Sequence, residues 1–290
     1  MTKTTRDIDS VTGVETTGHE WDGIKELNKP LPKWWLLTFY ATIVWAVGYW
    51  IVYPAWPTIN GYTRGLLNYS QRAIVAQEVA EAQAAQGQYR KKLEVTPLDT
   101  VRLDADLYRF AMAAGAVAFQ NNCAACHGRG AQGITGYPNL NDDDWLWGGR
   151  LEDIHTTISV GIRSDHKASR TSQMPRFGID KLLPDADIND VVDYVLSLSG
   201  KATDAGAVSR GNKTYTDQCA SCHGADGKGN LEQGAPNLAD PIWLYGDSRQ
   251  AVRESVSTGR GAMMPAWSGR LDPATVKALA VYVHSLDGGK

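Results

Sequence analysis

Cysteine is scarce in this chain and confined. The four that its 290 residues contain all fall in two five-residue motifs, Cys123-Ala124-Ala125-Cys126-His127 and Cys219-Ala220-Ser221-Cys222-His223. None is left for a disulfide framework or a free reactive thiol. A basic excess is missing too: the formal net charge is -3, which removes the positive field that nucleic-acid binders use to neutralise phosphates, so no nucleic-acid partner is expected. Between Trp34 and Thr63 charge is missing altogether. What remains, 43% apolar and 21% charged residues, is an ordinary globular balance for about two domains.

The uncharged stretch has a core, Trp34 to Trp56, reading WWLLTFYATIVWAVGYWIVYPAW. As a helix rising about 1.5 Å per residue it would span roughly 34 Å, enough to cross a hydrocarbon layer of about 30 Å. Trp34, Trp35, Tyr53 and Trp56 mark its ends, and their amphipathic rings suit the headgroup level. Pro54 and Pro57 stop the helix. A cleaved signal peptide would begin close to Met1 and end in small residues; here a polar stretch, residues 1–33, comes first and bulky Tyr-Pro-Ala-Trp-Pro follows. The expectation is an uncleaved single-pass anchor. Lys25, Lys29 and Lys33 before it, against Arg64 and Arg72 after it, favour a cytoplasmic N-terminus.

Beyond the anchor, the Ala-, Gln- and Glu-rich residues 64–93 read as helix by propensity, most simply a solvated spacer. An internal repeat follows. Gly115, Phe119 and Cys123 step like Gly211, Tyr215 and Cys219; Pro138-Asn139-Leu140 matches Pro236-Asn237-Leu238; Trp145 matches Trp243; Met174-Pro175 matches Met264-Pro265; Tyr194 matches Tyr282. Each copy opens with a helix running into its Cys motif and closes with a helix whose apolar residues recur three and four apart. The Gly and the aromatic before each Cys share one helix face, so the Gly admits the closing helix while the ring packs beside Tyr194 or Tyr282.

Cys-x-x-Cys-His sets two thiols to form thioethers with haem vinyl groups and places an imidazole behind them to reach iron. Zinc is the rival, but zinc-binding Cys pairs lie about 15 to 20 residues apart, far closer than Cys126 and Cys219. The expected cofactors are two covalently bound haem c groups, held by Cys123, Cys126, Cys219 and Cys222. The expected axial ligands are His127, His223, Met174 and Met264, because a thioether opposite His raises the potential and suits electron carriage. Met263, next to Met264, is set aside because the repeat aligns the Met-Pro pairs. His155 aligns with Arg253 and reads as an exposed helix position; His166, His284 and His19 are weaker candidates still. Ligation within each repeat and a crossed arrangement, Met264 to the first haem and Met174 to the second, are both open. Asp142-Asp143-Asp144 reads as a solvated loop before an acidic docking patch.

The fold expected is all-α: one N-terminal transmembrane helix followed by two tandem class I cytochrome c domains. Its segments are a cytoplasmic tail (1–33), the anchor (34–56), a linker with helix (57–108), and haem domains at 109–200 and 206–290. With these parts in place the chain resembles the dihaem, membrane-anchored P subunit of cbb3-type cytochrome c oxidases. The resemblance covers almost the whole length and rests on Gly18-His19-Glu20-Trp21-Asp22-Gly23-Ile24, Glu26-Leu27-Asn28-Lys29-Pro30-Leu31-Pro32, the span ending Tyr53-Pro54-Ala55-Trp56-Pro57, and the tandem haem motifs. It implies haem domains on the periplasmic side of a bacterial inner membrane. The implied donor is a soluble periplasmic cytochrome c. The implied partners in the oxidase are a monohaem cytochrome c subunit and the haem-copper catalytic subunit, with no oxygen-reducing site in this chain. The rival readings are a free-standing anchored dihaem carrier and a haem gas sensor.

Overall fold

Asp22-Gly23 is a hairpin dipeptide, and both residues take positive φ, 50° and 83°, as a tight turn between twisted strands requires. The turn joins β1 (Thr16–Trp21) to β2 (Ile24–Leu27), antiparallel with Trp21 opposite Ile24. The stretch that composition suggested was only a polar tail therefore carries a small sheet, to which Lys25 ties Asp7 by an ion pair of 2.7 Å. The computed structural model describes residues 7–201, 204–286 and 288. The chain divides into two units, one up to Gln83 and one from Ala84 onward.

In the first unit, α1 (Lys33–Val52) is long and apolar enough to cross a membrane. It ends four residues short of Trp56, because Pro54 denies Tyr53 the helical region and holds it extended, with φ -109° and ψ 164°. Two of the carbonyls this leaves unpaired are then satisfied by the chain folding back. After a short hairpin of β3 (Pro57–Thr58) and β4 (Gly61–Tyr62), Leu66 and Leu67 donate their N–H groups to Ile51 O and Val52 O, at 3.0 and 3.1 Å. Gly65 makes the approach possible: a Cβ there would sit 2.3 Å from Val52 O. The helix α2 (Gln71–Val95) follows.

In the second unit the end of α2 is no free spacer. Leu93 is fully buried in a cluster with Val101, Leu107, Ala111, Ala274, Ala278 and Val281, and Lys277 caps the helix by donating to the carbonyls of Leu93, Glu94 and Thr96 at 3.2, 2.7 and 2.7 Å. A 3-10 turn at Leu98–Leu103 leads into the helical repeats. The first contributes α3 (Ala105–Asn122), α4 (Ala124–His127), α5 (Leu151–Val160) and α6 (Asp185–Leu198); the second contributes α7 (Ala205–Gln218), α8 (Ala220–His223), α9 (Arg249–Thr258) and α10 (Pro273–His284).

The closing helices are exchanged. One core takes Phe119 from α3, Ile154 and Ile158 from α5, and Val276, Leu279 and Val283 from α10. The other takes Ile188, Val191 and Val195 from α6, Tyr215 from α7, and Val252 and Val256 from α9. Glycine fixes both contacts: a Cβ on Gly115 would lie 2.3 Å from Ala278 O, and one on Gly211 only 2.0 Å from Asp190 O. One turn on, Phe119 meets Tyr282 at 5.5 Å and Tyr215 meets Tyr194 at 4.9 Å between ring centroids. Ion pairs join α6 to its new neighbours, Asp190 with Arg210 at 2.7 Å and buried Asp193 with Arg249 at 2.8 Å. Gly211→Ala should therefore destabilise the fold by about 3 kcal/mol, a cost typical of severe overpacking. Urea denaturation of the full chain checks this; an unchanged midpoint would refute the close contact.

Candidate haem sites

Both Cys motifs grow out of helix ends in the same way. Cys123 N–H donates to Phe119 O at 2.8 Å and terminates α3, and the next turn, α4, is closed by Cys126 and His127 donating to Cys123 O at 3.1 and 2.9 Å. In the second repeat Cys219, Cys222 and His223 repeat these bonds at 2.8, 3.1 and 2.9 Å. Gly128 and Gly224 then take φ of 81° and 78° and turn the chain away. Two thiols and an imidazole thus share one helical turn in each repeat.

The imidazoles are oriented from behind. His127 Nδ1 lies 3.0 Å from Pro138 O and His223 Nδ1 lies 3.1 Å from Pro236 O. A carbonyl can only accept, so Nδ1 carries the proton and Nε2 keeps its lone pair for a metal. Burial pulls the pKa of both rings down, against a smaller opposing effect of these hydrogen bonds, and the neutral, ligating form is favoured. Burial, with a lesser contribution from the second Cys of each pair, pushes the Cys123 and Cys219 thiols up to about 11.

The methionine segments continue the exchange. Met264 and Ile162 pair by two backbone bonds, 2.9 and 3.0 Å, and Trp267 N–H donates to Ile158 O at 3.0 Å, which ties this segment to the end of α5. Met264 packs against the same apolar cluster as Cys123 and Ala124. Met174 N–H donates to Arg260 O at 3.3 Å, and Phe177 and Gly178 bond Val256 O and Ser257 O at 3.2 and 3.0 Å, beyond the end of α9. Met174 packs with Cys219 and Ala220. Gly161 and Gly259 admit these crossings, since a Cβ on either would fall 2.5 Å from Met264 O or 2.6 Å from Met174 O.

The donor set fits haem c: paired thiols, an imidazole with Nε2 free and an apolar wall bearing a thioether. Two buried donors, Arg170 Nε and Trp243 Nε1, have no partner within the protein, as expected where a group from outside the chain brings carboxylates. Sequence reasoning missed a repeated pairing here. Arg170 lies over the Trp147 ring at 4.9 Å and Arg260 over Tyr245 at 4.1 Å, each Arg four residues before its Met. Comparing the two repeats position by position would have found it. Met263 is exposed and His166 lies in an exposed loop. His155 is half-buried instead of exposed, beside Lys277 of the exchanged helix.

These features define a class, the membrane-anchored cytochromes c with two haem-attachment repeats. Three family models match the chain: the N-terminal domain of cytochrome oxidase-cbb3, FixP, over residues 13–60; cytochrome c over 112–199; and cytochrome c oxidase, cbb3-type, subunit III over 206–283. A cbb3-type cytochrome c oxidase subunit FixP from Bradyrhizobium sp. (strain ORS 278) is 54% identical over 98% of both chains. The CcoP subunits of Azospirillum sp. (strain B510) and Cereibacter sphaeroides are 51% and 52% identical, over 97% and 95% of this chain and 98% and 95% of theirs. The chain belongs to the FixP/CcoP family of cbb3-type cytochrome c oxidase subunits, membrane-anchored electron-transfer proteins with two covalent haem c groups.

The acidic run is less solvated than its composition suggests. Asp143 is exposed, but Asp144 is half-buried, and burial, with Asp240 of the other repeat and Asp142 adding repulsion, raises its carboxyl to about 6 from an ordinary 3.8. The folded state then holds a proton that the unfolded state has released, so stability falls as pH rises from 3.8 to about 6 and stays lowered above. Asp144→Asn should melt higher than the parent at pH 7, with the gain vanishing below pH 4; paired thermal melts across this window check the sign.

Proposed function

We propose that each iron is closed by a methionine from the other repeat. His127 and Met264 serve the haem joined to Cys123 and Cys126; His223 and Met174 serve the haem joined to Cys219 and Cys222. The observation that carries this reading is the two-way backbone pairing of Met264 with Ile162, beside the cluster that includes Cys123. The haem-binding units are accordingly interleaved, and each of the stretches 109–200 and 206–290 completes its partner's core.

Haem c supplies reversible one-electron chemistry at iron. The chain's part is to hold and tune it. The carbonyls of Pro138 and Pro236 fix the imidazole tautomer, the two apolar clusters exclude water, and the thioethers favour the reduced state. With both axial positions filled by protein, a role in gas sensing or oxygen reduction at this chain is disfavoured.

The charge asymmetry across α1 supports a cytoplasmic N-terminus, with the haem units in the periplasm of a bacterial inner membrane. There the chain accepts electrons from a soluble periplasmic cytochrome c and passes them on. The receivers are a monohaem cytochrome c subunit and then the haem-copper catalytic subunit of the same oxidase. The printed names of its relatives, all oxidase subunits, support this placement. Extraction in mild detergent and a native gel test it: the chain should migrate with copper and b-type haem, and a lone dihaem band would instead indicate a free-standing carrier.

Two further outcomes follow from the ligand assignment. Met174→His or Met264→His should keep covalent haem while lowering the potential of one haem each, read by redox titration; unchanged potentials in both would refute the assignment. A fragment of residues 84–200 contains Cys123, Cys126, His127 and Met174 but neither α10 nor Met264. It should form no stable His–Met cytochrome, and recovery of one with a methionine-ligated spectrum would establish ligation within the repeat.

A further inference from the structure

The segments carrying Met174 and Met264 pass one another, and a single side chain spans them. Arg163 lies in a stretch, residues 162–169, that separates Gly161 from Arg170 in the first repeat; in the second, Gly259 is followed directly by Arg260. Its guanidinium donates through Nε to Ala262 O at 2.7 Å and through Nη1 to Ser172 O. These two carbonyls are equivalent in the repeats, each two residues before a methionine. The planar fork of an arginine fixes the angle between its donors, so the two strands are held at one spacing by one group.

The backbone of Arg163 is committed to the same place. Its N–H donates to Arg170 O at 2.6 Å, and its φ is +50°, a left-handed conformation that a residue bearing Cβ adopts only where its surroundings impose it. The second repeat has no counterpart to this stretch, so the single arginine serves a junction to which both repeats contribute. Arg163 is half-buried, and its two side-chain bonds to carbonyls replace water it gives up there.

We infer that Arg163 is a positioning residue for both methionines, setting together how far Met174 and Met264 reach toward their sites. The inference rests on the crossed ligation proposed above. It implies that one substitution, remote in sequence from either Cys motif, alters both haem sites at once.

The test uses the full chain with both haems attached and methionine methyl groups isotopically labelled. In the reduced wild-type protein the two ligand methyl groups should give two ring-current-shifted proton resonances. Nuclear Overhauser contacts decide the underlying reading by themselves: the Met264 methyl must lie at the haem joined to Cys123 and Cys126, and contacts to the other haem would sink the crossed assignment whatever Arg163 does. Given that assignment, Arg163→Gln should shift both resonances, lower both potentials and raise carbon monoxide binding at both haems at least tenfold. Arg176→Gln, which removes only a surface pair with Asp180, should do none of these. Movement of only one methionine in Arg163→Gln overturns the inference. So does a lower melting temperature with both resonances and both potentials in place, because that is the signature of a merely structural role.

Discussion

Two helix contacts without a side chain between them govern the second unit. Gly115 lets α3 ride on the backbone of α10, and Gly211 lets α7 ride on α6, each closer than any other residue would permit. These contacts choose which closing helix belongs to which core, and the rest is positioned by that choice. Once α10 lies on α3, Met264 falls beside Ile162 and the first Cys motif; once α6 lies on α7, Met174 falls beside the second. The buried aromatic pairs and the ion pairs of α6 confirm a geometry that glycine already permits. The exposed pairs contribute little by themselves, and Asp193, buried against Arg249, is the exception among them.

The chemistry depends on the same arrangement at shorter range. Neutral histidines with Nε2 available are produced by burial and by two proline carbonyls, not by any charged neighbour. An apolar wall and a weak thioether ligand both favour an iron centre of low charge, the condition under which reduced haem is retained. Catalysis of oxygen chemistry is absent from this design, and the family to which the chain belongs uses it for electron transfer.

Much of this was legible in the residues. The Cys motifs, the Met-Pro pairs and the Gly-aromatic-Cys steps named every element of the two sites, because each type is dictated by covalent chemistry, by ligand softness or by a backbone contact. The exchange of closing helices was not. Tyr194 and Tyr282 sit in nearly equivalent helices, and periodicity says that a face is apolar without saying which neighbour covers it. The N-terminal hairpin was written plainly in Asp22-Gly23 but hidden by polar composition. The early end of α1 follows from Pro54 acting on the residue before it. Arg163 could not be found by matching repeats, since it lies in the stretch that only one repeat has.

The capping of α2 by Lys277 gives the exchanged fold a temporal asymmetry. Ribosomes deliver a chain from its N-terminus, yet the first core and the end of the linker helix both wait for α10, the last helix of all. The second core, completed by α9, can close while α10 is still being made. The first motif to appear is thus the last to be enclosed, and the machinery that welds its macrocycle has the longer interval in which to reach it.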